Sequence, residues 1–151
     1  MRPRHPPLSR PAAGSTAARG DDRRRLGARG EQLAAEHLER LGFSELARNA
    51  RTGEGEIDLI AFDGRTLVFA EVKTRRLRSR RAAGALADDP LASLRPRQRL
   101  RLRRAAVAWL AARRAEEGAA PFAQTLRFDA IGVVLDGDGA LLRLDHLEAA
   151  W

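Results

Sequence analysis

The spacing of apolar residues along the chain predicts two helices. Between residues 23 and 41 apolar residues recur at spacings of three and four, and Gly42 follows as a helix stop. A second helix is predicted from residue 94 to residue 117, and its apolar face contains Leu102, Ala105, Ala106, Trp109 and Leu110. Each helix therefore has one face suited to packing against a sheet.

Shorter segments with alternating or β-branched apolar residues predict five strands, at residues 43–49, 56–62, 66–73, 125–135 and 140–144. The second and third strands flank the turn signal Asp63-Gly64 and are expected to form a hairpin. Both faces of this hairpin are largely apolar, which is typical of a central sheet covered by helices on each side. We therefore predict an α/β fold with a mixed five-stranded sheet flanked by helices.

Two segments lack apolar periodicity. Residues 1–22 contain four of the seven prolines and no apolar stretch like that of a secretory signal. We expect a disordered basic tail there, followed by a single domain at residues 23–151. Residues 74–90 are rich in Arg, Ala and Gly, and a connection of that length is expected to be functional or mobile.

Composition narrows the classes of function. The chain has no cysteine, which excludes disulfides, thiol nucleophiles and cysteine-bound zinc or iron–sulfur clusters. No run approaches the ~18 apolar residues that a membrane span needs, so we expect a cytoplasmic protein without a membrane partner. The net charge of +8 favours a polyanionic partner such as nucleic acid, although an arginine-rich genome alone can produce the same bias.

Lys73 is the single lysine among 28 basic residues, and the others are arginines. A lysine retained against this background indicates a need for a compact ammonium group, which arginine cannot supply. Lys73 follows Glu71 by two residues on the third predicted strand. If the hairpin loop has two residues, the register places Asp58 on the same face as both. Two carboxylates and an ammonium group are then expected to meet near one end of the hairpin.

A third carboxylate, Glu31, shares a stripe with the apolar residues of the first helix and is expected to point toward the sheet. Three oxygen donors at a partly buried site suit Mg²⁺ or Mn²⁺, and such an ion can activate water for attack on a phosphodiester. Lys73 would then position or deprotonate that water. The alternative is an ordinary salt-bridged hairpin, in which Lys73 pairs with Glu71 or Glu56.

Four motifs follow one another along the chain: Gly-Ala-Arg-Gly-Glu at 27–31, Gly-Glu-Ile-Asp-Leu-Ile at 55–60, Val-Phe-Ala-Glu-Val-Lys-Thr-Arg at 68–75 and Arg-Phe-Asp at 127–129. Together they resemble the uncharacterised YraN-like bacterial family of the PD-(D/E)XK nuclease superfamily, over residues 26–150. Archaeal Holliday-junction resolvases are similar in arrangement.

The resemblance implies a restriction-endonuclease-like core and phosphodiester hydrolysis. It implies that Asp58 and Glu71 are metal ligands, that Lys73 is the catalytic lysine and that Glu31 supports them. The family usually has Lys-Gln in the second helix, where this chain has Arg97-Gln98. The resemblance therefore extends a site role to Gln98, but the role of a lysine amine at position 97 does not carry over.

Arginines near the predicted site are candidates for phosphate contacts. They follow the third strand or form a stripe on the second helix: Arg75, Arg76, Arg78, Arg80, Arg81, Arg97, Arg101 and Arg104. Few aromatic residues are interleaved with them, so double-stranded or branched DNA is favoured over a stacked single strand. His37 is interpreted as a packed core residue, His146 as an isolated one, and Asp129 as the partner of an arginine.

The predicted function is a metal-dependent endonuclease that hydrolyses DNA, with branched or damaged DNA as candidate substrates. Two other functions stay open: a basic nucleic-acid-binding module with a vestigial active site, and a structural partner in a nucleoprotein assembly. A homodimer would suit cleavage of both strands of a duplex, but no heptad pattern in the sequence establishes one.

Overall fold

The computed structural model describes residues 14–77, 89–116 and 121–151, with side chains from Arg19 onward. The elements in chain order are α1 (Gly14–Arg40), β1 (Ser44–Thr52), β2 (Gly55–Phe62), β3 (Thr66–Arg76), a 3-10 helix (Pro90–Ser93), α2 (Pro96–Ala115), β4 (Thr125–Leu135) and β5 (Leu141–Leu147). The strands form a five-stranded sheet in the order β1-β2-β3-β4-β5. Neighbouring strands are antiparallel except β3 and β4, which are parallel.

This arrangement confirms the predicted α/β fold, with a mixed five-stranded sheet of the kind expected in a restriction-endonuclease-like core. The helices α1 and α2 pack on opposite faces of the sheet and form separate apolar clusters. Strand β3 contributes to both clusters, with Val68 and Ala70 under α1 and Leu67 and Phe69 under α2. A strand covered on both faces has no solvent side, which explains why the hairpin sequence is apolar throughout.

The first helix begins earlier than predicted. Residues 14–22, which the sequence pattern assigns to a disordered tail, belong to α1, so that part of the tail prediction is wrong. The segment has no apolar stripe, but alanine and arginine are good helix formers and can extend a helix that packing stabilises downstream. Asp21 of this segment forms an ion pair of 2.8 Å with Arg25, one helical turn further along α1. Residues 1–13 lie outside the described part of the chain.

The segment between the third strand and the second helix is shorter than predicted. Strand β3 continues to Arg76 because it pairs with β4 as far as Leu135. The 3-10 helix begins at Pro90, the last residue of the predicted connection. Residues 78–88, with Arg78, Arg80 and Arg81, lie outside the described residues. No helix in the described ranges is both long and apolar enough to cross a membrane.

Candidate active site

The site begins where β2 and β3 separate. Regular pairing runs from Phe62 opposite Leu67 to Leu59 opposite Ala70, so the register has the parity predicted for a two-residue loop. One step further, the Asp58 carboxylate accepts a hydrogen bond of 2.7 Å from the main-chain amide of Val72. The Asp58 side chain thus replaces the main-chain carbonyl that would accept this hydrogen bond in a regular pair of strands. Regular pairing of β2 with β3 ends at this point.

Glu71 and Lys73 lie on either side of Val72 and share one face of β3. The Glu71 side chain is buried, with 5% of its surface exposed, and Lys73 Nζ donates a hydrogen bond of 2.5 Å to its Oε1. Lys73 keeps a quarter of its side chain exposed. The structure therefore brings the three predicted residues together, although the ion pair joins Glu71 and Lys73 along one strand instead of across the hairpin.

The charges in this cluster do not balance. Burial raises the pKa of Asp58 to about 7, and the neighbouring negative charge of Glu71 adds to the increase. The Val72 amide and the Lys73 ammonium oppose the shift but do not cancel it, and Glu31 reinforces it. One ammonium group thus faces three acids, so ionisation of all three would leave an excess of negative charge at a partly buried position.

Glu31 reaches the site from α1 because that helix approaches β3 very closely. A Cβ atom on Gly30 would lie 2.8 Å from Thr74 Cβ, so only glycine permits this contact. Thr74 follows Lys73, which places the next helical residue, Glu31, beside the end of the strand. The Glu31 Oε2 atom accepts a hydrogen bond of 2.8 Å from Asn49 Nδ2 of β1.

The donor set fits a hard divalent cation. Among the described residues, no three acidic or histidine side chains converge as a ready-made metal cage. Mg²⁺, however, is usually bound through one or two carboxylates, with water and substrate phosphate as its other ligands. Asp58 and Glu71 supply two carboxylates at a site with excess negative charge. The sharing of one ion by all three acids stays a prediction.

A cleft of about 520 Å³ opens beside Lys73. Its other lining residues come from the 3-10 helix and the start of α2: Ser93, Arg95, Arg97, Gln98 and Arg101. The 3-10 helix lies close to the sheet because Gly132, paired with Lys73, has no side chain; a Cβ there would lie 2.6 Å from Pro90 Cγ. Lys73 thus lines a space that it shares with three arginines.

Gln98 lies in this cleft, and it also has a structural task. Its Oε1 accepts a hydrogen bond of 2.8 Å from the main-chain amide of Arg95, which caps the first turn of α2. The residue matched by the family resemblance is therefore next to Lys73, and part of its amide is used to start the helix.

The predicted arginines that lie within the described residues fall into three groups. Arg75 and Arg76 are exposed at the end of β3, while Arg97 and Arg101 line the cleft. Arg101 crosses the β1–β2 turn, where its Cγ and Cδ atoms would lie 3.1 Å from a Cβ on Gly55. Arg104 instead lines a second groove of about 540 Å³, with residues that include Glu54 and Val107. The helical stripe is thus divided between two concave surfaces.

A buried polar network lies on the α1 side of the sheet. Asp129 is fully buried and pairs with Arg127 at 2.9 Å, which confirms its interpretation as an arginine partner. His146 Nε2 lies 2.9 Å from Asp129 Oδ2, and His146 Nδ1 lies 3.1 Å from His37 Nε2. His146 is therefore not isolated, and His37 is a half-buried structural residue. The two histidines meet only because β5 returns beside α1, which local sequence does not encode.

Sequence reasoning missed three features of the site: Asn49, the Val72 amide and Arg95. An amide of the main chain leaves no signal in a sequence, and Arg95 is one arginine among many. Asn49 offers a weak signal, because asparagine is enriched where the backbone adopts a left-handed conformation.

Comparison with known proteins shows the family. The model of the family described as Uncharacterised protein family UPF0102 matches residues 30–133. A UPF0102 protein of Acidothermus cellulolyticus is 44% identical over 126 residues, covering 81% of this chain and 87% of the relative. One from Nocardia farcinica is 39% identical over 140 residues, covering 93% and 99%. The UPF0102 protein GSU0650 of Geobacter sulfurreducens is 39% identical over 126 residues, covering 83% and 88%. The chain therefore belongs to the UPF0102 family.

Proposed function

We propose that this member of the UPF0102 family is a divalent-metal-dependent endonuclease of the PD-(D/E)XK superfamily, acting on phosphodiester bonds in DNA. The observation that carries the proposal is the cluster of Asp58, Glu71 and Lys73 at the edge of an arginine-lined cleft. The buried Glu71 and the half-buried Asp58, with one ammonium group beside them, are costly for folding alone, which favours a functional origin.

Asp58 and Glu71 would hold the cation, Mg²⁺ or Mn²⁺, and Glu31 would support it from α1. When bound, such an ion lowers the pKa of a water ligand and neutralises negative charge that develops on the phosphate. The Val72 amide holds the Asp58 carboxylate in place, so this ligand needs no reorganisation before it binds.

Lys73 is placed to act on the phosphate or on the attacking water. Lys73 lines the cleft while its ammonium group donates to Glu71, so this hydrogen bond orients both groups. Because Glu71 is almost fully buried, it holds Lys73 at the wall of the cleft and restricts its rotation. Lys73 would thus present a fixed positive charge to a phosphate that enters the cleft.

The cleft also suggests how the substrate is held. Arg97 and Arg101 border the same space as Lys73, and Arg75 and Arg76 extend the positive surface along β3. Such contacts grip phosphates without reading sequence. Double-stranded or branched DNA is the proposed substrate, in the cytoplasm, and cleavage of both strands would favour a homodimer.

A second candidate is a DNA-binding module without catalysis. It is favoured by the direct ion pair of Lys73 with Glu71, which resembles a purely structural contact. The two candidates differ in whether the charged cluster catalyses phosphodiester hydrolysis. In both, the same arginines bind DNA.

The test is incubation of the purified chain with labelled linear, nicked, flapped and four-way DNA, in Mg²⁺, in Mn²⁺ and in chelator. Asp58→Asn and Lys73→Met should each lower cleavage by two or more orders of magnitude while DNA binding persists. Glu39→Gln, an exposed acid on the same helix as Glu31, is the matched control and should cleave normally. Binding without cleavage on every substrate would establish the non-catalytic module instead.

A further inference from the structure

We propose that Asn49 is a positioning residue of this site, whose side-chain amide holds the Glu31 carboxylate toward the cation position. The inference rests on the proposed function, because it assigns Asn49 to the metal site proposed there. Asn49 does not line the cleft, and its side-chain amide donates to Glu31, so it would act through Glu31.

The backbone of Asn49 is in an unusual conformation. Its φ angle is +49°, in the left-handed region, although the residue lies inside strand β1. Among the described residues that are not glycine, Asn49 and Ala149 have a positive φ. Such a conformation costs about 1–3 kcal/mol and persists where the surroundings require it, often at functional sites. Asparagine tolerates it better than most residues do.

The strand register places this irregularity opposite the site. Arg48 pairs with Leu59 and Ala50 pairs with Ile57, so Asn49 lies opposite Asp58. Pairing continues on both sides, which means that the left-handed residue reorients one side chain without ending the strand. The reoriented amide donates to Glu31 Oε2 at 2.8 Å, and this bond links α1 to β1 at the level of Asp58.

The chemistry of the amide suits this task. Glu31 lies within electrostatic range of Asp58, and two like charges repel, so an untethered Glu31 side chain would favour solvent-facing rotamers. A lysine or arginine at position 49 could hold Glu31, but its positive charge would offset the negative charge that a cation needs. A neutral N–H donor restricts the carboxylate and leaves its charge intact.

An alternative role for Asn49 is simply to join α1 to β1. The structure offers a matched control, because a second hydrogen bond joins the same two elements one residue away. Arg48 Nη1 donates to Gln32 Oε1 at 2.8 Å. Arg48 directly precedes Asn49 in the chain, and Gln32 directly follows Glu31. Loss of that bond should affect docking of the helix and leave Glu31 in place.

The experiment is a titration with Mn²⁺, followed by electron paramagnetic resonance and by the shift in melting temperature, on wild type, Asn49→Gly, Gln32→Ala and Glu31→Gln. Glycine adopts the left-handed backbone without strain, so Asn49→Gly removes the amide alone. We expect its Mn²⁺ affinity to fall about tenfold, as for residues that orient metal ligands. Without metal, the melting temperature of Asn49→Gly should match that of Gln32→Ala. The Mn²⁺ affinity of Gln32→Ala should equal that of the wild type.

The double variant Asn49→Gly/Glu31→Gln should bind Mn²⁺ as Glu31→Gln does, since Asn49 acts through Glu31. Wild-type affinity in Asn49→Gly, or an equal loss in Gln32→Ala, would overturn the role of Asn49 alone. Absence of Mn²⁺ binding by the wild type, with cleavage also absent, would overturn the proposed metal site and the inference with it.

Discussion

Asp58 and Val72 are joined by a hydrogen bond of 2.7 Å from a main-chain amide to a carboxylate, at the point where their strands part. Val72 lies between Glu71 and Lys73, so this bond sets the position of Asp58 relative to both. It also satisfies an amide that the departing strand would leave without a partner. One contact thus ends the strand pairing and assembles the candidate site.

The raised pKa of Asp58 predicts a specific pH dependence of stability. Burial, with the charge of Glu71, raises this pKa from 3.8 to about 7, so between these values the folded chain holds a proton that the unfolded chain releases. The contribution of Asp58 to stability is therefore full below pH 4, declines as the pH rises and is lost above pH 7. Without divalent metal, Asp58→Asn should become progressively more stable relative to wild type between pH 5 and pH 8.

The measurement is urea unfolding of both proteins at pH 5 and pH 8. The difference between them should change by up to about 3 kcal/mol, since one pKa unit corresponds to 1.36 kcal/mol. Titrating groups that do not interact with Asp58 are common to both proteins and cancel in this comparison. A difference that stays constant with pH would contradict the assignment.

The Arg127–Asp129 pair should be essential for stability, and β5 provides its control. Burial alone would raise the pKa of Asp129, but hydrogen bonds from His146 and Arg127 outweigh it and lower that pKa. Asp129→Ala leaves Arg127 and His146 without their buried partner, and should lower the free energy of unfolding by about 3–5 kcal/mol.

Arg143 and Asp145 form a pair with the same spacing on the neighbouring strand, at 2.8 Å, but 40% of the Asp145 side chain is exposed. Asp145→Ala should therefore cost less than about 1 kcal/mol. Chemical denaturation of the two variants checks both values. Equal losses would show that burial does not decide the contribution of such a pair.

The contact of Gly30 with Thr74 should be intolerant of any side chain. A Cβ on Gly30 would meet the Thr74 side chain, with Cβ to Cβ at 2.8 Å, so Gly30→Ala must push α1 away from β3. We expect a loss of about 1–3 kcal/mol and weaker Mn²⁺ binding, since Glu31 moves with the helix.

Gly20→Ala is the control on the same helix, because nothing lies within 4 Å of its added Cβ. That change should stabilise the protein by about 0.5–1 kcal/mol, as alanine favours a helix over glycine. The measurement is thermal unfolding of Gly30→Ala and Gly20→Ala, each compared with the wild type. A harmless Gly30→Ala would mean that α1 and β3 are further apart than described.

The cleft arginines should account for part of the salt dependence of DNA binding. Arg97→Ala combined with Arg101→Ala removes two guanidinium groups beside Lys73 and should reduce the slope of log affinity against log salt by about 1–2. Arg114 is an exposed arginine near the far end of α2, and Arg114→Ala should leave this slope nearly unchanged. The measurement is fluorescence anisotropy with duplex DNA in chelator, which prevents cleavage. Identical slopes in all three proteins would show that DNA binds elsewhere.

Much of the candidate site could be predicted because it depends on local rules. A two-residue turn after β2 determines which residues face each other, and a period of two then places Asp58, Glu71 and Lys73 on one face. The stripe on α1 similarly predicts the direction of Glu31. Each of these inferences uses residues that are close together in the chain.

Other features were decided by packing between distant segments. The start of α1 at Gly14 follows from stabilisation of the helix downstream, and the meeting of His37 with His146 follows from the position of β5. Arg104 leaves the cleft for a second groove because the β1–β2 turn packs beside α2. None of these contacts has a local periodic signal.

The sequence by itself determined the type and order of the helices and strands, the hairpin register and the identity of the charged cluster, because backbone periodicity and turn chemistry act over a few residues. Only the tertiary structure decided that Asn49 turns toward Glu31 and that Val72 donates to Asp58. Those contacts depend on the angle at which whole elements pack, and that angle is set by the combined fit of two apolar clusters on opposite faces of the sheet.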